Sequence, residues 1–183
     1  MSQLRTNTIV DADGTGAPEF TNGLSSQGTI KLDGNYPTGT ENVALGDFAF
    51  GNLTTGALNT AVGSGTLYSN TTGGSNSAFG RSALALNTTG TTNTAIGTSA
   101  LNNNTTASNN TAVGYQSLYA NTTGAVNSAF GLQALYSNTT ANNNSAFGAL
   151  SLYSNTTGSE NTAIGREALQ ANTTAAEGTA VGY

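Results

Sequence analysis

The chain has 183 residues, of which 7 % are charged, with a net charge of −5, 24 glycines and neither histidine nor cysteine. Its four basic residues, Arg5, Lys31, Arg81 and Arg166, are too few for the basic stripe that phosphate-backbone binding needs, so no nucleic-acid partner is expected. The missing histidine and cysteine remove the commonest general base, the thiol nucleophile, disulfides and thiolate metal sites.

Residues 1–41 differ from the rest. They hold both prolines, five of the nine acidic residues and a short β-rich piece, Thr29-Ile30-Lys31-Leu32, followed by Asp33-Gly34. The segment is expected to attach or cap a longer body. Its opening has no apolar core of the kind a secretory signal carries, and the whole chain has no run of 18 apolar residues, so neither Sec-type secretion nor membrane insertion is expected. Asp11-Ala12-Asp13-Gly14 looks faintly like the start of an EF-hand loop. The twelfth position is Asn22 where a bidentate Glu is needed, so no calcium is expected there.

From residue 42 a 17-residue unit repeats without insertion. Gly46, Gly63, Gly80, Gly97, Gly114, Gly131, Gly148, Gly165 and Gly182 mark it. Residues 42–177 make eight units and 178–183 begin a ninth. A clear copy is Asn110-Thr-Ala-Val-Gly-Tyr-Gln-Ser-Leu-Tyr-Ala-Asn-Thr-Thr-Gly-Ala-Val126. Each unit offers two large apolar residues, too few for a core of its own, so the units are expected to stack. Seventeen residues leave no room for two helices and two turns, and Thr-Ala-Val flanked by Asn and Gly reads as a strand. The predicted fold is therefore all-β: a parallel β-solenoid, or β-roll, of 17-residue coils. The stretch Ser117-Leu118-Tyr119 reads as either a second short strand or a tight turn.

The expected core has two rows. Val62, Phe79, Ile96, Val113, Phe130, Phe147 and Ile164 stand before the glycines; Leu67, Leu84, Leu101, Leu118, Leu135, Leu152 and Leu169 stand four after them. Strand side chains alternate, so this reading turns Ala61, Ala78, Ala95, Ala112, Ala129, Ala146 and Ala163 outward, as a small, uniform subunit contact. The scarcity of charge has a physical reason. In an in-register stack each residue sits about 4.8 Å from its counterpart, and a charge would become a ladder of like charges. Asn avoids this by donating to one neighbour and accepting from the other. Two such ladders are expected, one from Asn42 to Asn161 and one from Asn70 to Asn172.

No catalytic, cofactor-binding or metal site is expected. Glu160, Glu167 and Glu177 occupy different repeat positions and read as scattered solvating charge. Tyr119, Tyr136 and Tyr153 share one position in consecutive units and form a stripe, read as packing rather than recognition. Gly178 to Tyr183 reads as one strand into a ninth coil with no polar cap. A head-to-tail contact is therefore expected, in which Ile30 and Leu32 of one subunit cover Val181 and Tyr183 of the next.

Asn-Thr-Ala-Ile-Gly (93–97 and 161–165) and Asn-Ser-Ala-Phe-Gly (127–131 and 144–148) resemble the head repeats of YadA-like trimeric adhesins. Their motif is one residue longer and their unit shorter. The resemblance implies a parallel β-roll with three chains around one axis, hence a homotrimer. The opening, Leu4-Arg5-Thr6-Asn7-Thr8-Ile9-Val10-Asp11, and the repeat at 110–124 are similar to tail-fibre proteins of aquatic bacteriophages. That similarity implies a virion or tail-fibre component involved in attachment, not an enzyme, at the virion or outside the cell. Virion proteins or a host-surface glycan are the implied partners. The alternatives are a self-polymerising extracellular filament and, less favoured, an ice-binding solenoid: Thr54-Thr55 and Thr71-Thr72 are adjacent and diverge, so no flat Thr-x-Thr face forms.

Overall fold

The computed structural model describes residues 41–183. Nine three-residue strands follow one another: β1 (Val43–Leu45), β2 (Thr60–Val62), β3 (Ser77–Phe79), β4 (Thr94–Ile96), β5 (Thr111–Val113), β6 (Ser128–Phe130), β7 (Ser145–Phe147), β8 (Thr162–Ile164) and β9 (Thr179–Val181). They form one parallel sheet in sequence order, and each of the first eight strands pairs with the residues 17 positions on. No helix occurs among the described residues. The chain is a parallel β-solenoid. Eight steps at a strand spacing of about 4.8 Å make the sheet roughly 40 Å long.

The rest of each coil is bent backbone that is also bonded coil to coil. The N–H groups of Leu118, Ala120 and Thr122 donate to the carbonyls of Ala134, Tyr136 and Thr139 in the coil above, at 2.9–3.0 Å, while Gln116 and Val126 donate to Thr98 and Ser108 below. A coil this short closes because several residues adopt the left-handed region: Gln116, Leu118 and Val126 in one coil have φ of 52°, 53° and 60°, and their equivalents repeat this. Leu118 is therefore in a tight turn rather than a second strand.

The corner after each of the first eight strands admits only glycine, for two independent reasons. Gly80 has φ of 126°, and a Cβ there would lie 2.7 Å from the carbonyl carbon and oxygen of Gly97 in the next coil. The strict recurrence of glycine at this position thus has a backbone cause.

The core corrects one of the two expected rows. Leu67, Leu84, Leu101, Leu118, Leu135 and Leu152 are fully buried, and Leu169 packs partly buried against the same cluster. Phe50 takes their place in the first coil. The other row is reversed. Val62 and Val113 are half-buried on the outer face, and Phe79, Ile96, Phe130, Phe147 and Ile164 are exposed. Ala61, Ala78, Ala95, Ala112, Ala129, Ala146 and Ala163 are instead completely buried inside the coils. They are not a subunit contact. The reason is room: the interior already holds a leucine, a second small residue such as Ala134, and two asparagines per coil, so the strand can add only a methyl group.

Candidate functional site

Inversion of the strand puts a continuous apolar stripe on the outside. Leu45, Val62, Phe79, Ile96, Val113, Phe130, Phe147, Ile164 and Val181 occupy one position of every strand, stacked by the register of the sheet. Phe130 and Phe147 stack with ring centroids 4.9 Å apart and planes 8° from parallel. Each exposed ring keeps about two fifths of its surface open, 37 % for Phe130 and 41 % for Phe147, so the stripe is a ridge supported from below rather than loose side chains. The threonines and serines that begin β2 to β8 are half-buried beside it on the same face.

Two asparagine ladders run through the coils beneath this face. In one, Asn121 Nδ2 donates to Asn104 Oδ1 at 3.0 Å and to Gly124 O at 2.8 Å, and its Oδ1 accepts from Asn138 Nδ2 at 3.0 Å. The pattern runs from Asn70 to Asn172. In the other, Asn110 Oδ1 accepts the Asn127 backbone N–H at 2.9 Å, and Asn110 Nδ2 reaches Gly124 O at 2.9 Å. This one runs from Asn42 to Asn161. Nearly all of these amides are fully buried, and each of them hydrogen-bonds to a neighbouring amide or backbone group. The core is polar at two positions per coil, and at a third where Thr66, Ser117 or Ser151 is buried, and still carries no charge.

Threonines divide the same way. Thr71 Oγ1 donates to Thr88 O at 3.1 Å, and the N–H groups of Thr71, Thr72 and Gly73 converge on that same carbonyl. Thr72 and its equivalents face solvent. In the Asn-Thr-Thr pairs from Thr71-Thr72 to Thr156-Thr157 the first threonine is half-buried and only the second is exposed, which is not the paired rank of a flat Thr-x-Thr surface.

Tyr119, Tyr136 and Tyr153 stack at 5.2 Å between centroids and are half-buried. Burial, and then the neighbouring phenols of Tyr153, Tyr119 and Tyr115, raise the pKa of Tyr136 above its ordinary value. Stacking covers the ring faces that a sugar would use. Tyr68 lies over Gly51 in the coil below, where an added Cβ would strike its ring.

Of the expected head-to-tail contact, Ile30 and Leu32 lie outside the described residues, as do the Asp11–Gly14 motif and most of the segment 1–41. Val181 and Tyr183 are exposed, with the Arg166 guanidinium 5.6 Å from the centre of the Tyr183 ring. Among the described residues no group of three or more Asp or Glu side chains is placed to hold a metal ion, and no helix is long and apolar enough to cross a membrane. No protein-family model, curated protein or solved structure matches this chain.

Proposed function

We propose that this chain is a structural fibre subunit, whose rod-like body associates with further copies of itself through the outward strand stripe. The observation that carries this reading is the unbroken apolar row from Leu45 to Val181. Two fifths of an aromatic side chain's surface is about 60–100 Å², so Phe79, Phe130 and Phe147 alone present roughly 180–300 Å² of apolar surface, and the six aliphatic residues of the row extend it along all nine strands. A monomer seldom leaves more than about 300–600 Å² exposed in one patch, whereas each partner in a stable interface contributes about 800 Å². The neutral, hydrogen-bonded interior suits a rod, because every added coil repeats the same contacts without accumulating charge.

A homotrimer about the rod axis fits this surface and the resemblance to trimeric adhesin heads. The similarity of the opening and the repeat to tail-fibre proteins makes a virion fibre involved in attachment the reading we favour over a cellular filament. Electron microscopy of the purified protein, with light scattering at micromolar concentration, tests assembly: rods of several chains are expected, and a monodisperse monomer overturns the reading. Immunogold labelling of virions tests the second part. Decoration of a fibre is expected, and label confined to cell-surface filaments overturns the virion assignment.

A further inference from the structure

We propose that copies of this chain meet parallel and in register, so that the row two residues after each strand in one copy lies against the row two residues before each strand in the next. This deepens the assembly reading above and rests on it. Two exposed rows flank the stripe. Val126 precedes β6 by two residues and Leu132 follows it by two; both are about half exposed, at 52 % and 49 %. Glu160 and Arg166 bracket β8 in the same way, and both are exposed.

Rotation about an axis along the rod keeps heights and reverses strand direction across the contact. It therefore brings opposite flanks of the same layer together. In register, Val126 meets Leu132 in the β6 layer, an apolar pair at the only layer where both flanks are large and apolar among the described residues. Glu160 meets Arg166 in the β8 layer, opposite charges. Within one chain Arg166 bonds its exposed guanidinium to Glu167 at 2.6 Å, leaving it free to share with a second carboxylate. The β1 layer opposes Glu41 and Asp47, both acidic, at the edge of the described region.

An antiparallel pair makes different contacts, because each flank then faces itself with heights inverted. Centred on β5, the middle strand, that arrangement sets Leu132 against Thr98; shifted by half a layer, it sets Leu132 against Arg81 or Tyr115. None of these three alignments pairs Val126 with Leu132 or Glu160 with Arg166, and centring on β6, which sets Leu132 against itself, leaves the β1 and β2 layers of each copy overhanging its partner. A parallel copy shifted by one layer also loses both matched pairs.

The chain has no native cysteine, so engineered ones report contacts cleanly. Positions 126 and 132 stand at opposite ends of a strand, beyond the roughly 7 Å Cα separation a disulfide tolerates, so V126C/L132C can link only between chains. Under mild oxidation the full-length double variant is expected to give covalent oligomers, a closed trimer if the axis is three-fold, while V126C and L132C alone give none. Reversing one charge, E160R or R166E, is expected to weaken association by about tenfold or more, and E160R/R166E is expected to recover most of it. Assemblies that form without the 126–132 link, or that link L132C to T98C or R81C, overturn this arrangement and leave the assembly reading standing. A wild-type monomer overturns both.

Discussion

Leu118 and Val113 stand five residues apart in one coil, and each belongs to an apolar row with a 17-residue period. Leu118 is completely buried; Val113 and its equivalents form the outer ridge. Hydrophobicity does not separate them. Backbone does. Val113 lies on a strand whose alternation is settled by its neighbour Ala112, small enough for the narrow interior. Leu118 sits in a left-handed turn, φ 53°, that aims a longer side chain into the space the alanines leave. Period identifies a position that matters, and the local conformation decides whether it matters for folding or for a surface.

The largest effects should come from breaking the two rows separately. Leu118→Asp buries an unpaired charge in the shared core and is expected to unfold the neighbouring coils, with loss of the β signal in circular dichroism. The milder Leu118→Ala is expected to cost about 2–5 kcal/mol in chemical denaturation. Val113→Asp should keep the β spectrum and instead dissociate assemblies in light scattering. If Val113→Asp unfolds the chain as Leu118→Asp does, the contrast between the rows fails.

The interior's polar half can be broken next. Asn121→Ala leaves Asn104 Oδ1 without its side-chain donor, while the Gly124 carbonyl keeps Asn110 Nδ2. A loss of about 1–3 kcal/mol per stranded buried group is expected in denaturation. Replacing Ser137, which is half-buried on the outside, by Ala should change stability by less than about 0.5 kcal/mol.

A smaller effect sharpens the role of the left-handed turns. Thr92 has φ of 57° and is exposed. Thr92→Gly removes a β-branched side chain from a conformation that disfavours it, and is expected to stabilise the fold by about 1 kcal/mol. Leu118→Gly relieves the same backbone but empties the core, so it should destabilise. Opposite signs in thermal melts are the expected result.

The smallest effect concerns the tyrosine stack. Burial, with the phenols of Tyr153, Tyr119 and Tyr115, raises the folded pKa of Tyr136. The unfolded chain therefore loses this proton first. The contribution is fully present below the ordinary tyrosine pKa near 10 and is lost as pH rises through the folded value. Ultraviolet titration of Tyr136 should show a lower midpoint in Tyr119→Phe/Tyr153→Phe than in the wild type.

The sequence by itself determined the solenoid. An uninterrupted 17-residue glycine period demands a stacked coil, and the want of charge with two recurring asparagines already describes ladders that an in-register stack needs. The buried leucine row was also legible, as a large apolar residue at a fixed distance from the glycine. What only the tertiary structure decided was the direction of each strand. Alternation says that Ala112 and Val113 face opposite ways without saying which is inside. The larger residue was the natural choice for the core, and it was the wrong one. The deciding quantity is the width of the coil, set by three left-handed residues per turn and by asparagine side chains that reach the carbonyls around them. No single position in the sequence carries that width. It exists only once the coil has closed, and it leaves the strand room for a methyl group and sends every valine, isoleucine and phenylalanine of that row to the outside.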